Sequence, residues 1–518
     1  MGTPSGSGGG GGEDKYKDAK DFLDKIGQQV YKEKVKNDAE KYKEALTGQL
    51  SSATEGSWET ASSNDPCTFE YTKLIGPSDK RHPCKNLKGI TNEERFSDTL
   101  GGQCTKEKIS GSTSTCGACA PYRRVHLCHH NLETIDTTSM TKHKLLAEVC
   151  MAAKFEGELL KNYHGKHKGT NNESQLCTVL ARSFADIGDI VRGKDLFYGN
   201  KQEKEKRKQL DKKLKEIFEN IYKELKNGKT NVDALQTRYG SDTTNYYQLR
   251  EDWWTANRHT VWKAITCDVK SGSQYFRATC GSGKTATRTP SQCRCDDNPN
   301  TDPPTYFDYV PQFLRWFEEW AEDFCRKRKK KIENAIKNCR GENNDKYCDL
   351  NRYDCTETVI GEKKLVEGAD CIDCHFSCAR FVKWIDNQKL EFDKQKRKYT
   401  SEISDGDGGR RRSRKKRSTK SETYEGYDKD FYNILKGDYK DVDKFLNILN
   451  KEGICKEQPK VKGETADAAD FTKGKTEKTF SRSKYCEPCP WCGVKKDGSK
   501  WTPKEENECR KDKKKTYK

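Results

Sequence analysis

Cysteine, arginine and lysine are the residues of this 518-residue sequence whose spacing could do chemistry. Cys116-x-x-Cys119, Cys371-x-x-Cys374 and Cys486-x-x-Cys489-x-x-Cys492 have the spacing of zinc ligands. His126, His129, His130 and His375 stand near the first two pairs. A structural site needs four converging donors, usually two close pairs separated by about 12–20 residues. Cys116, Cys119, Cys128 and His129 are too tightly strung to form two independent knuckles. Cys489-Pro490-Trp491-Cys492 resembles a thiol-redox pair. That chemistry requires a thiol pKa lowered at a helix N-terminus in a βαβ setting; here the flanks are charged and glycine-rich, with no strands near. Gly281-Ser282-Gly283-Lys284-Thr285 looks like the end of a phosphate loop, yet Ala278 stands where the loop's first glycine belongs. A disulfide-closed surface loop is the expectation there. No His-Glu-x-x-His and no Gly-x-Ser-x-Gly occurs. The chain is therefore expected to be no enzyme, with no cofactor and no metal.

The cations suggest binding instead. Arg410, Arg411, Arg412, Arg414, Lys415, Lys416 and Arg417 place seven charges in eight positions. Such a run reads as a solvated loop tip or as a contact for sulfated glycan or nucleic acid. Arg123 and Arg124 follow Pro121 in a cysteine-rich stretch, where a rigid loop would present charge with little ordering cost. Lys142 and Lys144 complete the candidate ligand-binding set. Cations that neutralise a polyanion release counterions, so binding of this kind should weaken steeply with salt.

Composition frames these motifs. The chain carries 99 Lys and Arg against 81 Asp and Glu, a net +18. Residues 1–66 hold nine lysines and twelve acids, and the remainder 90 basic and 69 acidic residues. An acidic arm before a basic body is expected to dock on it, and the body favours polyanionic partners. Apolar residues are 32%, below the roughly 45–50% of ordinary domains, so no large conventional core is expected. No run approaches the roughly 18 apolar residues of a membrane span, and 10% aromatics argue against a disordered chain. The 24 cysteines then become the natural staples, in an oxidising compartment.

Helical periodicity places the elements. Met1 to Gly12 reads as a flexible leader. Lys15 to Leu46 follows as a helical arm with Phe22, Ile26 and Val30 on one face, before a linker to Pro66. Cys67 to Cys128 is loop-rich and stapled, and a helix runs from about Thr141 to Tyr163. Four apolar stripes suggest a bundle: Leu180–Val191, Leu210–Leu225, Tyr246–Cys267, and Phe313–Phe324 after Pro311. Two helices, about Phe376–Tyr399 and Asp428–Leu449, are expected to form a hairpin around Ser401–Thr423, which reads as an exposed loop. No alternation is long enough for a strand, so the class is mainly α. Cys177 starts one bundle helix and Cys267 ends another; antiparallel packing of the two would bring them into disulfide range.

Five segments carry a family resemblance. They are Asp186-Ile-Gly-Asp-Ile-Val-Arg-Gly-Lys-Asp-Leu196, Leu249-Arg-Glu-Asp-Trp-Trp-Thr-Ala-Asn-Arg258, Pro311-Gln-Phe-Leu-Arg-Trp-Phe-Glu-Glu-Trp320, Cys371–Cys374 with Cys378 and Trp384, and Cys486–Cys492. Together they resemble the Duffy-binding-like alpha domains of the Plasmodium falciparum erythrocyte membrane protein 1 family. The arm before Cys67 is similar to that family's N-terminal segment. The resemblance implies a disulfide-rich Duffy-binding-like fold. Its expected parts are an N-terminal segment (1–66), a loop-rich first subdomain (67–175), a helix-bundle second (176–325) and a helical-hairpin third with a cysteine-rich cap (326–518). It also implies a host-cell adhesion module, extracellular on the infected erythrocyte and anchored only through a downstream segment. The implied partners are red-cell receptors: heparan sulfate-like glycans, complement receptor 1 or blood-group sugars, as in rosetting. Nucleic acid is not among them. A zinc-dependent nucleic-acid binder, using the basic surface and cysteine clusters, is the alternative from another class.

Overall fold

A computed structural model of the chain describes residues 16–53, 63–75, 80–85, 94–227, 232–281, 283–296, 301–405, 426–498 and 500–510. The glycine-rich leader and the whole Arg410–Arg417 run lie outside the described residues. The chain divides into two compact units, residues 1–320 with 395–442, and residues 321–394 with 443–518.

In the first unit, α1 (Ala19–Val30) passes through a π-helical turn, Tyr31–Val35, into α2 (Lys36–Leu46). Asp18 caps α1, its carboxylate accepting from the Asp21 amide at 2.9 Å. Next come α3 (Lys142–Lys168), α4 (Leu176–Arg192), α5 (Lys201–Asn227), α6 (Val232–Tyr239) and α7 (Tyr247–Ile265). α4 ends where Gly193 adopts φ +76°, a left-handed cap that suits glycine. α7 starts on the Asp242 carboxylate, which accepts the amides of Tyr247 (3.0 Å) and Gln248 (2.6 Å). α7 is the hub, packing on α2, α3 and α4. Its tryptophans Trp253 and Trp254 are fully buried, Trp254 beside Phe184 of α4.

α3 and α7 cross with backbones in near contact at Gly157. A Cβ there would run into the Ile265 carbonyl group, lying 2.8 Å from its carbon. Gly157→Ala should therefore destabilise the unit by about 1–3 kcal/mol, read as a lower urea midpoint with an unchanged slope.

The acidic arm is part of this body. Phe22, Leu23, Val30, Val35, Ala39 and Leu46 are buried. Asp24 pairs with Arg277 and accepts from the Tyr306 amide at 2.7 Å. Tyr31 lies over Arg258 at 5.1 Å and donates to Asp302 at 2.7 Å. Asn257 of α7 ties the end of α2, accepting from the Gly48 amide at 2.7 Å and donating to Leu46 O at 3.0 Å.

α8 (Gln312–Arg340) and α9 (Ile372–Asp405) each run through a unit boundary. The helical stretch foreseen as one element near the C-terminal end is two, α10 (Asp428–Tyr439) and α11 (Val442–Leu449). The second unit has a small aromatic core in which Phe324, Trp384, Phe392, Phe471 and Phe480 meet at centroid distances of 4.9–5.7 Å. Two short antiparallel hairpins, absent from the sequence expectation, pair β1 (Lys460–Val461) with β2 (Glu464–Thr465) and β3 (Val494–Asp497) with β4 (Lys500–Pro503). Six disulfides hold this unit of about 150 residues. Staples of that density are what a chain with little apolar core requires. Among the described residues, no helix is long and apolar enough to cross a membrane.

Candidate adhesion surface

The arginines of the motif-bearing segments turn inward. Asp186 of α4 accepts from Arg123 Nη2 (2.7 Å), Arg315 Nη2 (2.9 Å), Gln312 Nε2 (3.1 Å) and Trp316 Nε1 (3.1 Å). One turn on, Asp189 pairs with Arg315 and with Arg192, which also reaches Glu251 at 3.3 Å. Arg258 of α7 grips Asp308 at 2.8 Å through two nitrogens, and Trp254 Nε1 donates to the same carboxylate at 2.9 Å. Burial pushes the Asp186 carboxyl up, but Arg123, Arg315 and Arg124 outweigh it and hold it at about 2. At Asp189 burial wins, and that carboxyl sits above its ordinary range despite Arg315 and Arg192.

This arrangement corrects the reading of Arg123 and Arg124 as presented charge. They are 2% and 0% exposed. Arg123 bridges Asp186 and Glu319, and Arg124 pairs with Asp195 at 2.5 Å. The turn Tyr122–Val125 aims them into the bundle, where acids of α4, the segment after it and α8 neutralise them. Neither can meet a ligand.

The Cys177–Cys267 pairing is also corrected. Cys177 bonds Cys293 and Cys267 bonds Cys67, with Cα separations of 5.5 and 5.3 Å. α4 and α7 do pack, but loops close both ends. Trp262 Nε1 holds Cys293 O at 3.0 Å, and Lys263 binds Asp65 at 3.2 Å beside Cys67. The zinc and redox readings lose their thiolates in the same way. Cys119 bonds Cys104; Cys371 and Cys374 bond Cys348 and Cys339; Cys486, Cys489 and Cys492 bond Cys378, Cys355 and Cys509. The Gly281–Thr285 loop is closed by Cys280–Cys295. Only Cys116 and Cys150 remain as thiols. Burial raises both pKa values, strongly at Cys150, which is 0% exposed. Titration in denaturant should return two thiols per chain, and the native protein should yield only Cys116 to a thiol reagent.

With the arginines consumed inside, lysines carry the surface charge. Lys142 donates to Ala45 O at 2.5 Å and Lys144 to Ser139 Oγ at 3.1 Å, so both serve local structure while remaining half-buried. A larger concentration lies on α5. Residues 201–215 hold eight cations against three acids, and Leu210, Leu214, Ile217, Phe218 and Ile221 form the helix's buried stripe. This face passed unnoticed in the sequence, where it is a lysine/glutamate-rich background. The usable signal was the helical recurrence of Lys201, Lys204 and Lys208.

Beside α5 lies a cleft of about 310 Å³. Leu210 and Leu214 form its floor, Tyr198 and Tyr247 line it with half-buried rings, and Lys204, Arg207 and Lys208 stand along the helix. The Lys204 ammonium lies over the Tyr198 ring at 5.3 Å. Its two carboxylates are occupied: Asp195 takes Arg124, Arg207 and Gln312, and Asp211 takes Arg250 at 3.1 Å.

This disulfide-stapled helical body is that of a Duffy-binding-like domain, as the family models that match it show. The Duffy binding domain model matches residues 117–315, the C-terminal subdomain model of Duffy-binding-like domains 319–484, and the model for N-terminal segments of PfEMP1 residues 18–54. The crystal structure of the NTS-DBL1α1 domain of PfEMP1 from the P. falciparum varO strain is 35% identical, covering 94% of this chain and 98% of that one, with a TM-score of 0.73. A double-domain structure from the same strain, adding a CIDRγ domain, is 34% identical over 96% of this chain and 68% of that one, at TM-score 0.75. The chain belongs to the Plasmodium falciparum erythrocyte membrane protein 1 (PfEMP1) family, in its N-terminal segment and first Duffy-binding-like domain. An ICAM-1-binding DBLβ domain of PfEMP1, 23% identical at TM-score 0.60 and covering 89% of this chain and 96% of that one, shares the fold. The Duffy receptor beta form of Plasmodium knowlesi is 23% identical over 328 residues, 61% of this chain. The chain spans about a fifth of the length of that curated relative (22%). Duffy-binding-like domains of the PfEMP1 family mediate adhesion to host receptors.

Proposed function

We propose that this chain is a rosetting adhesion module, displayed outside the infected erythrocyte, that binds red-cell receptors bearing anionic glycan of the heparan sulfate kind. Complement receptor 1 and blood-group sugars are the other receptors the family resemblance puts forward. The observation that carries the reading is the partition of charge: buried arginines are matched by buried acids, whereas residues 201–215 of α5 carry seven lysines, five of them exposed, against three acids. A sulfated chain lying along α5 would meet Lys201, Lys204, Lys208 and Lys212 at successive turns. Lys142 and Lys144, and the Arg410–Arg417 run outside the described residues, stay in the proposal as further candidate cations.

The test is retention on immobilised heparin across a salt series. The protein should be held at about 50 mM salt and released toward about 200 mM or above, because counterion release makes such affinity fall steeply with salt. Charge reversal at Lys201, Lys206 and Lys212 should lower the eluting salt. Flow-through at low salt, or unchanged elution of the reversed variant, would remove the α5 surface from the proposal. Failure to bind red cells under every condition would end the adhesion reading.

A further inference from the structure

We propose that the cleft between α5 and the Tyr198 and Tyr247 rings is a subsite for one or two anionic pyranose rings of the adhesion ligand. The inference rests on the adhesion reading and deepens it: along an otherwise open basic helix, it assigns the one place where a sugar is gripped rather than merely attracted.

Three features of the cleft converge on that chemistry. Its volume, about 310 Å³, is at the small end of ligand clefts, which run from about 300 to 1,000 Å³. It suits a short saccharide segment and is too small for a peptide helix or a folded partner's loop. The walls are aromatic and aliphatic below and cationic above: Tyr198 and Tyr247 with Leu210 and Leu214, then Lys204 and Lys208. A pyranose has this same division, an apolar C–H face that packs on a ring and a rim of polar substituents. Two ammonium groups can hydrogen-bond any sugar hydroxyl, but they are matched best by a sulfate or carboxylate substituent, whose charge strengthens the bond.

The acids in the cleft do not cancel this charge. Asp195 is held by Arg124, Arg207 and Gln312, and Asp211 by Arg250. Arg207 is thereby consumed, and among the described residues Lys208 pairs only with Glu205, a solvent-exposed contact at 2.7 Å that a ligand anion can replace. Lys204 has no carboxylate within 4 Å among the described ion pairs, and its ammonium already sits against the Tyr198 ring at 5.3 Å. An anion paired with Lys204 would place its sugar ring beside Tyr198. The scaffold is rigid where it matters. The Tyr198 amide bonds Lys108 O at 2.7 Å and its hydroxyl donates to Ser110 Oγ at 3.0 Å. Tyr247 is stacked by the Arg250 guanidinium at 5.3 Å.

The experiment compares two double variants of equal charge change on the same helix: Lys204→Ala with Lys208→Ala inside the cleft, and Lys206→Ala with Lys212→Ala outside it. All four side chains lie on the surface of α5, and equal thermal midpoints would verify the fold. Each protein is titrated with a heparin-derived tetrasaccharide, with sialyllactose and with neutral lactose, and passed over immobilised heparin. Both pairs should elute from heparin at similarly lowered salt, since a long polyanion reads total charge. The short probes should separate them, with at least a tenfold loss of affinity for the cleft pair and less than twofold for the outer pair. Binding of the tetrasaccharide alone identifies sulfate as the anchoring group; binding of sialyllactose alone identifies carboxylate; each supports the subsite. Equal losses for the two pairs, or equal affinity for lactose, would overturn it while leaving the adhesion reading intact. Absence of any binding by the unaltered protein to heparin and to both anionic probes would overturn the subsite and the glycan-binding α5 surface; the adhesion reading itself falls only if red cells are not bound either.

Discussion

Replacing Asp186 by alanine should cost the first unit about 3–5 kcal/mol, the expected loss when one partner of a buried ion network is removed and the others are left uncompensated. Asp186 is 0% exposed and takes hydrogen bonds from Arg123, Arg315, Gln312 and Trp316. Alanine would leave Arg123 with Glu319 as its remaining carboxylate, and Arg315 with Asp189. The measurement is urea unfolding of the disulfide-intact protein, followed by the fluorescence of the buried Trp253, Trp254 and Trp316. An unchanged midpoint would mean that the network is ornamental to the fold. A pH series gives an independent reading. The folded carboxyl sits at about 2, below its ordinary 3.8, so the unfolded chain binds the proton more readily over that interval. The stabilisation is complete above pH 3.8 and disappears as pH falls through 2. Asp186→Asn should lower stability at neutral pH and flatten that acid limb.

Removal of residues 1–46 should prevent recovery of a folded first unit. The arm contributes Phe22, Leu23, Ile26, Val30, Tyr31, Val35, Ala39 and Leu46 to the buried interior. Without it Arg277 loses Asp24 and Asp21, Asn257 loses Leu46 and Gly48, and Arg258 loses the Tyr31 ring. Phe22→Ala is the graded form of the test. Phe22 is 0% exposed and its ring lies 4.4 Å from that of Tyr439, so truncation should cost about 3–5 kcal/mol. A removable mask would behave in the opposite way: the shortened chain would fold with an unchanged unfolding midpoint and bind glycan more tightly. The arm does dock on the body, as its charge suggested, but through buried acids and a hydrophobic face.

Much of this protein was legible before any coordinates. The 3.6-residue recurrence of Phe22, Ile26 and Val30, and of Leu210, Leu214, Ile217 and Ile221, located helices that the structure contains. Periodicity is a local property, and an apolar stripe on a helix must be buried against something. The scarcity of apolar residues with 24 cysteines indicated staples in place of core, and 22 of them are bonded. The motifs around Asp186, Trp254 and Arg315 identified the family because they are the interlocking pieces of one interior, where every neighbour constrains every other. The break between α10 and α11 and the two short hairpins escaped notice, because segments of two to four residues carry no usable period.

What composition could not decide was the direction in which charge points. Arg123 and Lys204 are both cations in cation-rich sequence, and only the fold places the first against Asp186 and Glu319 and the second over Tyr198 beside a cleft. Cysteine pairing had the same character. Cys177 and Cys267 end neighbouring helices, yet each is closer to a loop cysteine brought from elsewhere in the chain, Cys293 and Cys67. Local sequence determined which segments became helices and that disulfides would hold them. Burial of a charge and the joining of two thiols both depend on which distant residue comes within a few ångströms, and tertiary structure alone sets that distance.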